Sequence, residues 1–486
     1  VFSAWQAAPR AVASVLSYEA ERRANADRFE DYWKRKSRNP LACRGRDGKP
    51  ADMAKFGLLM PIPALARLGD PRRFARSTSV NLPVDPDALL EHVRVSLRRR
   101  LAAPLRQAPS GGKQNQDWYW LAQVFLDEDR GWICGTSAFV TEGESEELHE
   151  ETDDSDTRDW LEQHAELARR ASTDPGEGMH EAGRPPEDLV DVLAFLAVAG
   201  PANAAYRALD NVMPRARGKA DQGLRERLLR DQAVSMSRAL RAMFQQPEVE
   251  SIVRAAAESD LDYWRAVLRH SLEGGLPSVL EEDLHVLAEG SGLTRRSWSD
   301  VAREMALPKE RAKEKSYDLA KEFSQQAGLM TSDIRVTTMR PHGTRVPRRD
   351  FKLRHHFAVR FGAKAGNEQS EKRADNAREA FNGPFWPFVL VSTSVGQEGL
   401  DFQPYSHAVV HWNLPHNPID LEQREVAFTV LWGTNLAADV IASAQVEATN
   451  LRRRNVNIVR TRQIARLECA QKAEAILQNF QHAFAV

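Results

Sequence analysis

FVLVSTSVGQEGLDF, residues 388–402, is the stretch on which the reading of this chain turns. An apolar, β-branched run ends at Ser392–Thr393, a glycine-containing loop follows, and Asp401 closes it. A short run of this kind, bounded by turn residues, reads as a buried strand. In open α/β sheets, ligands bind just beyond the carboxyl ends of strands. A small hydroxyl there can donate to a phosphate, glycines allow close backbone approach, and a carboxylate can accept from a ribose hydroxyl. At this level the alternative is an ordinary strand-to-loop junction.

Working outward, HFAVRF (356–361) and AVVHW (408–412) are further short β-rich runs, separated from the first by helical or turn segments. That alternation predicts a parallel sheet with crossover helices. Ile334 to Met339 reads as one more short strand, and the chain after Gly433 reads as helix. Upstream, Pro186 to about Gln325 is helical in pattern: LVDVLAFLAVAG (189–200) is apolar nearly all round, whereas RLLRDQAVSMSRALRAMF (227–244) is amphipathic. Leu89 to Leu105 predicts a basic helix carrying Arg94, Arg98, Arg99 and Arg100. Trp118 to Phe139, rich in aromatic and β-branched residues, predicts a strand pair turning near Asp127–Gly131. GESEELHEETDDSD (143–156) lies in an acidic stretch, 141–187, expected to be solvated and flexible, with an acidic effector patch as the alternative.

TSVGQEGLD resembles motif V of superfamily-two helicases, which begins with Thr and ends in Gly-x-Asp. AVVHWNLPHNPIDLEQRE (408–425) is similar to the approach to motif VI, and VFSAW (1–5) to motif IV. REAFNGPFWPFVLVSTSVGQEGLDF (378–402) also resembles large bacterial helicase-like proteins, some of them linked to phage defence. The resemblance covers roughly residues 1–25 and 350–425. It implies that Gly399 and Asp401 meet the ribose of ATP, that Gln423 faces its phosphates with Arg424 beside it, and that Thr393 and Ser3 touch a nucleic-acid backbone. ATP with magnesium would lie between this lobe and a first RecA-like lobe, and DNA is the expected track rather than RNA.

Two departures qualify that expectation. In the family, motif VI continues from Gln-Arg to further arginines that stabilise the transferring phosphoryl group, an effect of about 10³–10⁵ in rate. Here Gln423–Arg424–Glu425 runs straight into Val426–Ala427–Phe428, so the arginine finger is missing and the junction reads as spliced. A P-loop, G-x-x-x-x-G-K-[ST], is also missing: Gly48–Lys49, Gly112–Lys113 and Gly218–Lys219 are followed by Pro50, Gln114 and Ala220. QVFLDEDRGW (123–132) imitates a Walker B strand through Asp127 and Glu128, and is read as a hairpin turn. His355–His356 is read as structural, since neighbouring strand positions face opposite ways.

Bulk properties bound the rest. The chain has 486 residues, 42 % hydrophobic and 28 % charged, with a formal net charge of −1. Uniformly basic nucleic-acid binders are thereby excluded, but local basic tracks are not. LRRRNVNIVRTRQIAR (451–466) is such a track: Arg452, Arg453, Arg454, Arg460, Arg462 and Arg466 stand with no acid among them and could neutralise phosphates. The alternative is a solvated helix face. Three scattered cysteines make no zinc or redox motif and suit a reduced, cytoplasmic setting. No long uninterrupted apolar run suggests a membrane span. The chain opens without Met on VFS, which reads like the tail of a strand, so the parent is expected to begin upstream.

The expected fold is therefore α/β: a RecA-like parallel-sheet lobe, interrupted by a large, mostly helical insertion, with a helical C-terminal tail. Residues 1–30 would start the lobe, 31–350 form the insertion with its small β element near 118–139, 351–432 complete the lobe and 433–486 form the tail. The expected function is the C-terminal motor lobe of an ATP-dependent helicase or translocase, partnered by the first lobe and by defence-system proteins. The alternative is a motor-derived scaffold that binds nucleic acid or a partner protein without hydrolysis.

Overall fold

A computed structural model describes residues 8–24, 40–41, 45–46, 49–50, 53–127, 165–171, 173, 182–257, 261–307, 316–327, 334–336, 351–353, 357–361 and 377–392. The chain divides into two units, one made of Val1–Lys36 with Gln325–Val486 and the other of Ser37–Ser324.

In the first unit two strands, Ala358–Phe361 and Val389–Ser392, pair in parallel with Ala358 opposite Val389 and Phe361 opposite Ser392. Alternate side chains of a strand face opposite ways, and both faces here are covered. Ala358 and Val391 pack against Val12, Ala13 and Leu16 of the Ala8–Ala24 helix. Val359, Phe361 and Leu390 pack against Ala377 and Phe381 of the helix at 377–381. Residues more than three hundred positions apart thus share one small core. Ser17, fully buried, accepts from the Ala358 amide at 3.0 Å and donates to its carbonyl at 3.1 Å.

The RecA-like sheet expected from sequence is not the architecture observed. The described residues hold a single parallel pair of strands, beside two short antiparallel pairs (Gly45–Arg46 with Lys49–Pro50, Ile334–Val336 with Phe351–Leu353), and they are mostly helical. The physical reason is visible at Ala358. Its amide and carbonyl, which a further strand would take up, are satisfied by the Ser17 hydroxyl. β-Branched composition reports burial, and among the described residues a helix on each face supplies that burial. The AVVHW run and the expected C-terminal tail lie outside the described residues.

The second unit is helical. At its centre are Leu189–Ala199 and Pro201–Val212, which follow one another through Gly200. Together they are apolar and long enough to cross a membrane by length and composition, but 83 % of that window is buried inside the protein. Gly200 and Pro201 break the run: proline suits the first turn of a helix and cannot continue the one before it. Around this pair pack the helices Pro63–Leu68, Pro86–Arg100, Lys219–Phe244, Tyr263–Glu273 and Leu276–Gly290. Buried Asn203 fastens the arrangement, accepting from the Ile62 amide at 2.9 Å and donating to the Leu196 carbonyl at 3.1 Å. Gly69 is needed where the chain crosses the end of the Leu189–Ala199 helix, because a Cβ there would stand 2.0 Å from the Ala197 carbonyl oxygen.

A second correction concerns Trp118–Leu126. It is a helix, not the first strand of a hairpin, and eight of its nine residues are buried. An amphipathic signal needs one wet face. With water excluded all round, aromatic and β-branched content remained the visible cue, and that cue pointed to strand.

Candidate functional site

The parallel pair sets the geometry of the candidate site. Val389–Ser392 ends one residue before Thr393, so the segment resembling motif V leaves the carboxyl end of a strand flanked by helices on both faces. Ser392 itself is 2 % exposed, on the side of the 377–381 helix, so it belongs to the core and does not present its hydroxyl to a ligand. Ser3, Thr393, Gly399, Asp401, Gln423, Arg424, Arg452, Arg453, Arg454, Arg460 and Arg462 lie outside the described residues, as do His355 and His356. Among the described residues there is no group of three potential metal ligands.

The described structure instead reveals polar clusters in the helical unit that sequence reasoning passed over. Asp127, the Walker B imitation, forms neither a Walker B carboxylate nor a hairpin turn. It ends the Trp118–Leu126 helix, its amide bonded back to Gln123 and Val124, and takes both terminal nitrogens of Arg230 at 2.6 and 2.8 Å. Both side chains are almost wholly buried, at 3 % exposure for Arg230 and 1 % for Asp127. Next to this fork, Glu226 accepts from Arg67 at 2.7 Å and from the Tyr206 hydroxyl at 2.8 Å. Burial, then the charge of Glu226, pushes the Tyr206 hydroxyl well above its ordinary range, so it remains a donor.

Two further clusters behave alike. Arg225 donates to Asp210 at 2.6 Å and to the carbonyls of Pro214, Asp210 and Met213, which ties the Lys219–Phe244 helix to the end of Pro201–Val212. Arg265 bonds Asp188 at 2.6 Å and the Tyr119 hydroxyl at 2.5 Å, its guanidinium lying 4.9 Å from the ring centres of both Tyr119 and Trp264. Burial, then the bond to Asp188, raises Tyr119 to about 12. These groups are occupied by one another, so they bind helices together and offer no open position for chemistry. One sequence signal could have found them: Arg225 and Arg230 stand among the apolar positions of an amphipathic helix, where an arginine must have a partner.

The clusters set the response to acid. Burial would raise Asp210, but the charge of Arg225 and its hydrogen bond hold the carboxyl below its ordinary 3.8. Burial likewise opposes, and bonds from Tyr119 and Arg265 outweigh it, at Asp188. A carboxylate with a depressed folded-state pKa contributes stability that is complete above its unfolded value and is lost as pH falls through the folded one. The helical unit is therefore expected to hold its stability down to about pH 4 and to lose it on further acidification. Asp210→Asn should flatten that limb in a pH series of urea midpoints; a limb as steep as the parent's would exclude Asp210 as its source.

Comparison with protein-family models, curated protein sequences and solved structures finds no match to this chain.

Proposed function

We propose that this chain is the C-terminal motor part of an ATP-dependent nucleic-acid helicase or translocase, acting on DNA and completed by a first lobe that carries the P-loop. The observation that supports it is the parallel strand ending at Ser392, immediately ahead of Thr393, Gly399 and Asp401. In this reading Asp401 accepts from the ribose hydroxyls and Gln423 faces the phosphates. Thr393 and the arginines between 452 and 462 hold the DNA backbone. Magnesium would be held by the ATP phosphates and the first lobe. Hydrolysis would open and close the cleft between lobes, and alternating grip on phosphates, which positions without reading sequence, would convert that cycle into steps.

The second reading, a scaffold derived from a motor, is favoured by the missing arginine finger and by the helical unit, whose buried charges serve cohesion. Titrating the full-length parent, first lobe included, with a fluorescent ATP analogue in the presence of DNA separates the two. A charge-assisted hydrogen bond contributes about 1.5–3 kcal/mol, so Asp401→Ala should weaken binding roughly 10–100-fold. DNA binding without nucleotide binding, or equal nucleotide affinity in the variant, would leave the scaffold standing.

A further inference from the structure

Residues 92–116 contain six basic side chains, Arg94, Arg98, Arg99, Arg100, Arg106 and Lys113, and no acid, in a chain of net charge −1. The structure shows how they are displayed. The Pro86–Arg100 helix turns Leu89, Leu90, Val93 and Leu97 inward, against Leu189–Ala199 among others, and leaves Arg98, Arg99 and Arg100 exposed. Pro104 has no amide to return to the Arg100 carbonyl, so the helix is interrupted at Leu101 and resumes as Ala102–Gln107 with Arg106 exposed. Arg94 is committed to Asp191 at 2.7 Å and Arg98 reaches Glu91 at 3.5 Å. Arg99 and Arg100 make no ion pair with a described residue.

Cations in the last turn of a helix are favoured by its macrodipole. That field amounts to about half a negative charge, whereas Arg99 and Arg100, beside an Arg98 that reaches Glu91, place two positive charges against it. The excess repels itself, and a polyanion bound there would relieve that repulsion. Arg99, Arg100 and Arg106 fall within eight consecutive residues, and one strand of a duplex presents a phosphate about every 3.4 Å of helix axis. We infer that this arginine face is a second nucleic-acid contact, on the helical unit, that grips successive backbone phosphates without reading bases. The inference rests on the motor reading for the identity of its polyanion.

The test is fluorescence anisotropy of the full chain with mixed-sequence DNA between about 50 and 200 mM salt, comparing the parent with Arg99→Gln/Arg100→Gln. Every phosphate that is no longer neutralised reduces the slope of log affinity against log salt by about 0.7–0.9. The double variant should therefore be shallower by about 1.4–1.8, with an unchanged melting temperature. DNA binding by the parent with an unaltered slope in the variant would overturn the inference and leave the motor reading intact. So would a variant that melts at a lower temperature yet binds alike, since the arginines would then serve the helix alone. A parent that binds no DNA would remove both.

Discussion

Asp127→Ala is expected to destabilise the helical unit by about 3–5 kcal/mol, because it leaves the Arg230 guanidinium buried without its counter-charge. Glu226 compensates only weakly: its Oε1 is 3.9 Å from Nε, while its Oε2 accepts from Arg67 and Tyr206. The cost belongs to breaking the pair, since two charges removed from water gain little net energy from one another. Replacing both partners together, Asp127→Leu with Arg230→Met, should therefore recover most of the loss. Urea denaturation of the two single variants and the double variant measures the coupling directly. If the double variant falls by the sum of the singles, the two residues act independently and do not form one coupled unit.

Trp120→Ala should cost a similar amount, about 3–5 kcal/mol. Trp120 is wholly buried, and its indole nitrogen points at the sulfur of Met60, itself fully buried. Removal would open a cavity at a position with no exposed surface, beside Met60. A thermal scan reads the loss as a lower melting temperature. Trp120→Phe, which keeps an aromatic ring and gives up the N–H···S contact, should recover more than half of it. A Trp120→Ala protein as stable as the parent would mean that the Trp118–Leu126 helix is peripheral, contrary to its burial.

Much of the helical unit is legible in the sequence. The run 189–200 shows itself as buried through continuous apolarity, the 227–244 stretch through its 3.6-residue spacing, and the basic helix near 89–105 through its pattern. The pattern there reads as one helix from Leu89 to Leu105, and the structure breaks it at Leu101, where Pro104 leaves the Arg100 carbonyl without an amide. The strands at 358–361 and 389–392 are also legible, because four apolar or β-branched residues between turn signals leave few other options. Trp118–Leu126 misleads because its periodicity vanishes when every face is dry. The width of the sheet is overestimated, since a strand's composition says that it is covered and not by what.

The candidate site divides differently. Thr393, Gly399, Asp401 and Gln423 are singled out only by the resemblance to helicase motifs V and VI, and the structure adds the parallel strand from which the first of these segments departs. The ionic clusters are the reverse case. Asp127 and Arg230 are 103 positions apart, and no local pattern announces a pair of that separation.

Local sequence determined which segments are helix or short strand, where glycine and proline interrupt them, and that basic charge gathers within 92–116. Backbone propensity and solvation act over a few residues, so that information is carried locally. Tertiary structure alone decided that Ser17 takes up the amide and carbonyl of Ala358 and that Arg230 neutralises Asp127. Those outcomes depend on which distant groups lose their water together, a property of the folded chain and of no segment within it.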